Sequence, residues 1–92
     1  MEIDHIMRRV TDAQRAVLWC QRMLDNTRTA ALMYERWGDQ GMADDLNGHI
    51  SWLERQLRYY EGELELAEAD YQTALEKAEI GGAIDDQPTA EF

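Results

Sequence analysis

The sequence predicts an all-α protein, an antiparallel two-helix hairpin of the coiled-coil type. Apolar residues recur at steps of three and four through most of the 92 residues, and this phase is interrupted once, at a glycine pair near the middle. The single proline, Pro88, lies near the C-terminus. A long proline-free body with this period is typical of helices that pack along a seam. We expect residues 1–82 to form the hairpin and residues 83–92 to form an acidic, flexible tail.

The first helix is predicted to span about residues 3–37. Its apolar seam fills the a and d positions of successive heptads without a slip, and the opposite f position carries a row of arginines. The seam consists of Ile3, Ile6, Val10, Ala13, Val17, Cys20, Leu24, Thr27, Ala31 and Tyr34; the outer row contains Arg8, Arg15, Arg22 and Arg36. Thr-Asp-Ala-Gln, starting at Thr11, resembles a capping box and offers another start. The seam runs through it unbroken, which favours one long helix.

The chain is expected to reverse at residues 38–41, where Gly38 and Gly41 would fall on the seam. Asn47-Gly48 is a competing turn signal, but the new apolar phase already includes positions on both sides of it. That phase consists of Leu46, Ile50, Leu53, Leu57, Tyr60, Leu64, Ala67, Tyr71, Ala74 and Ala78. The second helix is therefore predicted over about residues 42–80, ending at the glycine pair 81–82.

A short turn makes the two helices antiparallel neighbours. Facing positions should then have residue numbers that average about 40, which sets Leu24 near Leu57 and Ala13 near Ala67. A hairpin of this kind buries too little apolar area to offset the entropy lost on ordering the chain. A further surface must therefore be covered.

A second apolar face lies beside the seam, at the c and g positions towards the turn. It consists of Trp19, Met23, Met33, Trp37, Trp52 and Tyr59. The first interpretation is a homodimer that forms a four-helix bundle through this face, in which the hairpins could be parallel or antiparallel. A different protein covering the same face and scattered exposed aromatics without a role are the alternatives.

The net charge of −10 is unevenly distributed. Residues 1–38 carry six arginines against five acidic residues, a balance of +1, whereas residues 39–92 carry three basic against fourteen acidic residues, a balance of −11. Such a surface repels phosphate, so direct binding of nucleic acid or of an anionic membrane is not expected. An acidic face is predicted on the second helix, partly paired with arginines of the first such as Arg28 and Arg15. It consists of Glu54, Glu61, Glu63, Glu65, Glu68 and Asp70.

The residue types that catalysis and cofactors require do not form recognisable motifs. Glu2 and His5 have the Glu-x-x-His spacing of di-iron bundles, but the motif occurs once where such a site needs two copies. There is no phosphate-binding glycine loop, nucleophile elbow or Cys-x-x-Cys pair. Cys20 lies on the seam as a small hydrophobe and has no cysteine to pair with, which suits a reducing compartment. We expect no enzyme activity, cofactor or metal, and a cytoplasmic location.

The leading functional hypothesis is a non-enzymatic regulator or adaptor that acts through protein–protein interaction. The alternative is an acidic decoy that blocks a basic nucleic-acid-binding protein; in composition and shape the chain resembles small phage inhibitors, including some anti-CRISPR proteins. A second alternative follows from the hairpin with Trp37-Gly38 at its turn, which resembles the secreted WXG100 proteins. Their motif places one residue between the tryptophan and the glycine, and that residue is absent here. The resemblance implies a secreted, dimeric helical hairpin.

Overall fold

The computed structural model is a two-helix hairpin. It describes the backbone of residues 2–91 and the side chains of residues 3–78. Helix α1 spans Glu2–Arg36 and helix α2 spans Gln40–Glu91, and the two pack against each other. No strand occurs in residues 2–91, so the predicted all-α hairpin is confirmed. The molecule is a thin rod of 80 × 17 × 14 Å.

The turn between the helices is tighter than predicted. Gly38 adopts the left-handed conformation, with φ +82°. Its backbone N–H donates to the carbonyl of Glu35, and the N–H of Asp39 donates to the carbonyl of Tyr34. These two bonds form a Schellman motif, which satisfies carbonyls that the end of α1 would otherwise leave without partners.

Asp39 then begins α2. Its Oδ1 accepts a hydrogen bond from the backbone N–H of Met42 at 3.1 Å, the geometry of an N-cap. Helix α2 therefore starts at Gln40, two residues before the predicted start, and Gly41 lies inside it. Gly38 alone supplies the reversal that the sequence prediction divided between two glycines.

The seam predicted for α1 is confirmed at every position, because all ten of its side chains are buried or half-buried. The seam of α2 is likewise covered from Leu46 to Ala74, whereas Ala78 is exposed. The arginines of the outer row are exposed, as expected for the face opposite the seam. Thr11 and Asn47-Gly48 lie within continuous helix, so neither alternative boundary occurs.

The predicted end of α2 at residue 80 differs from the structure, in which the helical backbone continues through Gly81 and Gly82 to Glu91. A glycine costs a helix about 1 kcal/mol but does not by itself end it. Many helices end at a residue in the left-handed conformation, as α1 does at Gly38. The side chains of residues 79–92 lie outside the described part of the chain, so the flexibility of the tail 83–92 stays a prediction.

The core of the hairpin is built mostly from small residues. Its buried apolar members are Ala13, Cys20, Leu24, Ala31, Ala43, Leu53 and Ala67, joined by Thr27. Small side chains let the helices approach closely but remove little apolar area from water. Over the described residues, neither helix contains an apolar stretch long enough to cross a membrane.

Candidate functional site

Two ion pairs mark the two long sides of the hairpin. Arg9 Nη1 lies 3.0 Å from Asp70 Oδ2, and Arg28 Nη2 lies 3.1 Å from Glu54 Oε2. In heptad terms, the first pair joins g positions and the second joins e positions, which flank an antiparallel seam on opposite sides. In each pair the two residue numbers average close to 40, so the predicted register is confirmed. Both pairs are about half exposed, so they orient the helices more than they stabilise them.

The side marked by Arg9–Asp70, called here the aromatic side, carries most of the exposed large apolar residues. Those on this side are Trp19, Met33, Trp37, Met42, Trp52, Tyr59 and Leu66, and the exposed ones elsewhere are Met7, Leu18 and Leu32. The largest exposed fractions are 66% at Trp37, 62% at Leu66 and 60% at Tyr59. Five of the six residues predicted for the second apolar face are thus exposed, and Met23 is half-buried.

Helical spacing and a groove between the helices place the apolar residues of α1 and α2 on the same side. Arg9 and Asp12 of α1 line this groove together with Tyr59 and Glu63 of α2. Trp52 and Leu66 lie seven residues before and after Tyr59, and therefore on the same stripe of α2. The exposed apolar residues of both helices consequently lie in one strip on this side, mostly over the half of the hairpin nearest the turn.

Three aromatic contacts hold the rings of this strip. The Trp37 ring lies edge-on to Tyr34, with ring centroids 5.4 Å apart, and the Trp52 ring stacks on His49 at 5.7 Å. Tyr59 lies edge-on to Tyr60 at 5.3 Å. Such pairs restrict side-chain rotamers before a partner arrives, so less conformational entropy is lost on binding.

The residues of the predicted acidic face divide between the two sides. Glu54 lines a second groove, with Arg28 and Asp25, on the side marked by Arg28–Glu54, called here the acidic side. Glu61, Glu65 and Glu68 follow it at helical spacing, are exposed, and have no ion pair among the described side chains. Glu63 and Asp70 lie instead on the aromatic side.

The expected pairing of helix-1 arginines with these acids is confirmed for Arg28. The other ion pair with α2 is formed by Arg9 and not by the predicted Arg15, because Arg15 lies on the outer face of α1, turned away from α2. Arg9 could have been identified from the sequence, since it occupies the g position opposite Asp70 in the predicted register.

The open end of the aromatic side is polar and of mixed charge. A shallow groove there is lined by His5, Arg9, Asp70, Thr73 and Lys77 over the apolar floor of the seam. The other histidine, His49, lies near the turn against Trp52. Among the described side chains, no group of three potential metal ligands comes together.

Cys20 is fully buried in the seam, and burial raises the pKa of its thiol above the ordinary value of 9.0. The thiolate is therefore disfavoured, and the side chain behaves as a small apolar residue. This is the role predicted from its d position.

Comparison with family models, with curated proteins and with solved structures found no match. The surface must therefore be interpreted from its own residues. Two exposed members of the strip, Met42 and Leu66, lie outside the predicted second apolar face. Met42 was missed because the predicted turn ended just before it. The signal was present, since Met42 lies seven residues before His49 on the same stripe of α2.

Proposed function

We propose that this chain is a non-enzymatic, cytoplasmic regulator or adaptor that acts by burying its second apolar face against a protein. One observation carries the proposal: seven exposed large apolar side chains lie on a single side of the hairpin. Scattered exposed hydrophobic residues are normal on any surface, whereas a contiguous strip marks a binding surface. The cytoplasmic location is supported by the single cysteine, whose thiol is buried.

The chemistry of the strip favours a protein partner. Tryptophan, tyrosine and methionine are the residues enriched at the centres of protein interfaces, where they form hot spots. The rings of Trp37, Trp52 and Tyr59 are already held by neighbouring aromatic side chains. An anionic membrane would be repelled by the net charge of −10.

A second candidate function is the acidic decoy that blocks a basic nucleic-acid-binding protein. The observation that favours it is the row of Glu61, Glu65 and Glu68, exposed and without an ion pair among the described side chains. Its charges would act mainly on encounter rate and on specificity. This row lies on the acidic side, so the two candidates depend on different surfaces. The likeness to WXG100 proteins rests on the hairpin and its turn and identifies no further surface.

The test compares two multiple variants of the immobilised chain as baits for cell lysate. One is Trp37→Ala/Trp52→Ala on the aromatic side; the matched variant is Glu61→Gln/Glu65→Gln/Glu68→Gln on the acidic side. Each bait is used at low salt and at about 0.5 M salt, where the Debye length falls to about 4 Å and exposed charges are screened.

We expect the tryptophan variant to lose the proteins that the wild type retains, by at least tenfold, with little dependence on salt. The glutamine variant should retain them. The reverse result, with strong salt dependence, would replace the first function by the decoy. Retention that neither variant changes would contradict both.

A further inference from the structure

We infer that the protein covering the second apolar face is a second copy of this chain, bound antiparallel and centred on Asn26. The inference rests on the proposed function, because it names the occupant of the same face. The two hairpins would overlap only over the halves nearest their turns, and their open ends would project in opposite directions. Helix α1 would pack on α1 of the partner copy, and α2 on its α2.

The area of the strip fits a small but specific dimer interface. The strip covers residues 16–37 of α1, about 33 Å of helix at 1.5 Å per residue. The hairpin is 17 Å wide. A face of these dimensions buries about 600 Å² on each copy and about 1,200 Å² in total, which is the lower limit for a stable specific complex.

The side chains of α1 on the aromatic side are complementary to themselves when the helix is reversed about Asn26. They form two rows with a spacing of seven, the first being Trp19, Asn26 and Met33, and the second Ala16, Met23, Ala30 and Trp37. Reversal sets Trp19 against Met33, whose numbers average 26. In the second row it sets Trp37 against Ala16 and Met23 against Ala30, whose numbers average 26.5, half a residue from Asn26. Alternation of large and small residues across facing positions lets the surfaces interdigitate.

Helix α2 carries exposed apolar residues on both sides of the level of Asn26. Met42 and Trp52 lie before this level, and Tyr59 and Leu66 lie after it. The register fixed by Arg9–Asp70 and Arg28–Glu54 places Asn26 level with residues 53–56. A two-fold axis through Asn26 therefore brings the exposed apolar residues of α2 against α2 of the other copy.

Charge selects the antiparallel arrangement over the parallel one. Residues 64–92 carry eight acidic residues against Lys77, a balance of −7, while residues 1–16 carry three of each sign. A parallel dimer would bring two open ends of charge −7 side by side. The antiparallel dimer places them about 50 Å apart, well beyond the Debye length of about 8–10 Å.

The proposed two-fold axis explains why one position of an otherwise apolar row is polar, namely Asn26. Its side chain is exposed in the single hairpin, between Trp19 and Met33. At the two-fold axis it meets the same residue of the other copy, and because an amide both donates and accepts, the two side chains can pair. A polar residue at one interface position fixes register and orientation in helical assemblies.

Sedimentation and site-directed cross-linking test this arrangement. The wild type should sediment at about 20–50 µM as a species of twice the 10.7 kDa chain mass. Under mild oxidation, Asn26→Cys should form a disulfide between copies, because the two residues meet at the axis. The matched control is Asp25→Cys, at the same level but turned to the acidic side, which should remain reduced. The buried native Cys20 does not compete.

A distance measurement provides a readout independent of the interface residues. A spin label at the exposed Gln72, introduced as Gln72→Cys, lies 18 residues beyond residue 54, which is level with Asn26. The antiparallel dimer predicts about 55 Å between the two labels, whereas a parallel dimer predicts roughly 30 Å or less. A short distance overturns the antiparallel arrangement, and failure of Asn26→Cys to cross-link overturns the centre at Asn26.

A stable monomer in sedimentation would overturn the inference entirely. It would leave the proposed function standing, because the face would then remain available to a different protein. If the dimer forms as described but the baits retain no other protein, the antiparallel dimer stands and the adaptor function fails. The two proposals are thus separated by their outcomes.

Discussion

Leu53→Ala tests whether the narrow seam is the main stabilising element of the hairpin. Leu53 is 0% exposed and is the largest fully buried side chain among the described residues. Truncation removes three buried carbon groups at about 0.8 kcal/mol each, or roughly 2.4 kcal/mol. The cavity term should be small, because a two-helix seam has open sides and can collapse. We therefore expect a loss of about 2.5–3 kcal/mol in the free energy of unfolding.

The assay is urea unfolding followed by far-ultraviolet circular dichroism. With an m-value of about 1–1.5 kcal/mol/M, the midpoint should fall by about 2 M. The matched control is Leu18→Ala, since Leu18 is 53% exposed on the acidic side and should change the midpoint by less than about 0.5 M. All variants are compared at one protein concentration, because association shifts apparent stability. Equal shifts for the two leucines would refute the assignment of the core.

Two further predictions concern the turn and the buried thiol. Gly38→Ala should lower the free energy of unfolding by about 1–2 kcal/mol, because alanine is strained at φ +82°. Gly48→Ala lies inside α2 with open space around it and should raise the free energy of unfolding by about 1 kcal/mol. Thermal unfolding measures both, and shifts of the same sign would contradict this reasoning. Burial raises the pKa of Cys20, so the unfolded chain loses this proton first and stability should fall as the pH rises above about 9. Cys20→Ala should flatten that fall in pH-dependent unfolding, and unchanged slopes would show that the thiol does not contribute.

Helical periodicity predicted the seam because it depends on local spacing alone. Every seam residue of α1, from Ile3 to Tyr34, is covered as expected, and α2 differs only at its far end. The helix ends were harder, because they depend on backbone conformation at single residues. Gly38 adopts the left-handed state and Gly41 does not, although both interrupt the apolar phase. The cap at Asp39 was readable from the sequence, since aspartate before a helix is a common N-cap.

The composition of the second apolar face was predictable, and the division of the acidic residues between two sides could have been. Trp19, Trp37 and Trp52 follow from phase within each helix, and their exposure agrees with positions outside the seam. The acidic residues of α2 were predicted to form one face, although their heptad positions already separate them. Glu63 occupies a g position on the aromatic side and Glu61 an e position on the opposite side, so the predicted acidic face becomes two separate surfaces.

The contrast between small buried residues and large exposed ones links folding to association. Four of the buried residues are alanines, whose small side chains remove little apolar area from water: Ala13, Ala31, Ala43 and Ala67. The side chains that could supply such area, among them Trp37 and Tyr59, remain exposed in the single hairpin. Covering these exposed side chains would add apolar burial that the seam alone does not supply, and so would stabilise the hairpin. Under the function proposed above, the second apolar face would act as half of a core that a second protein surface completes.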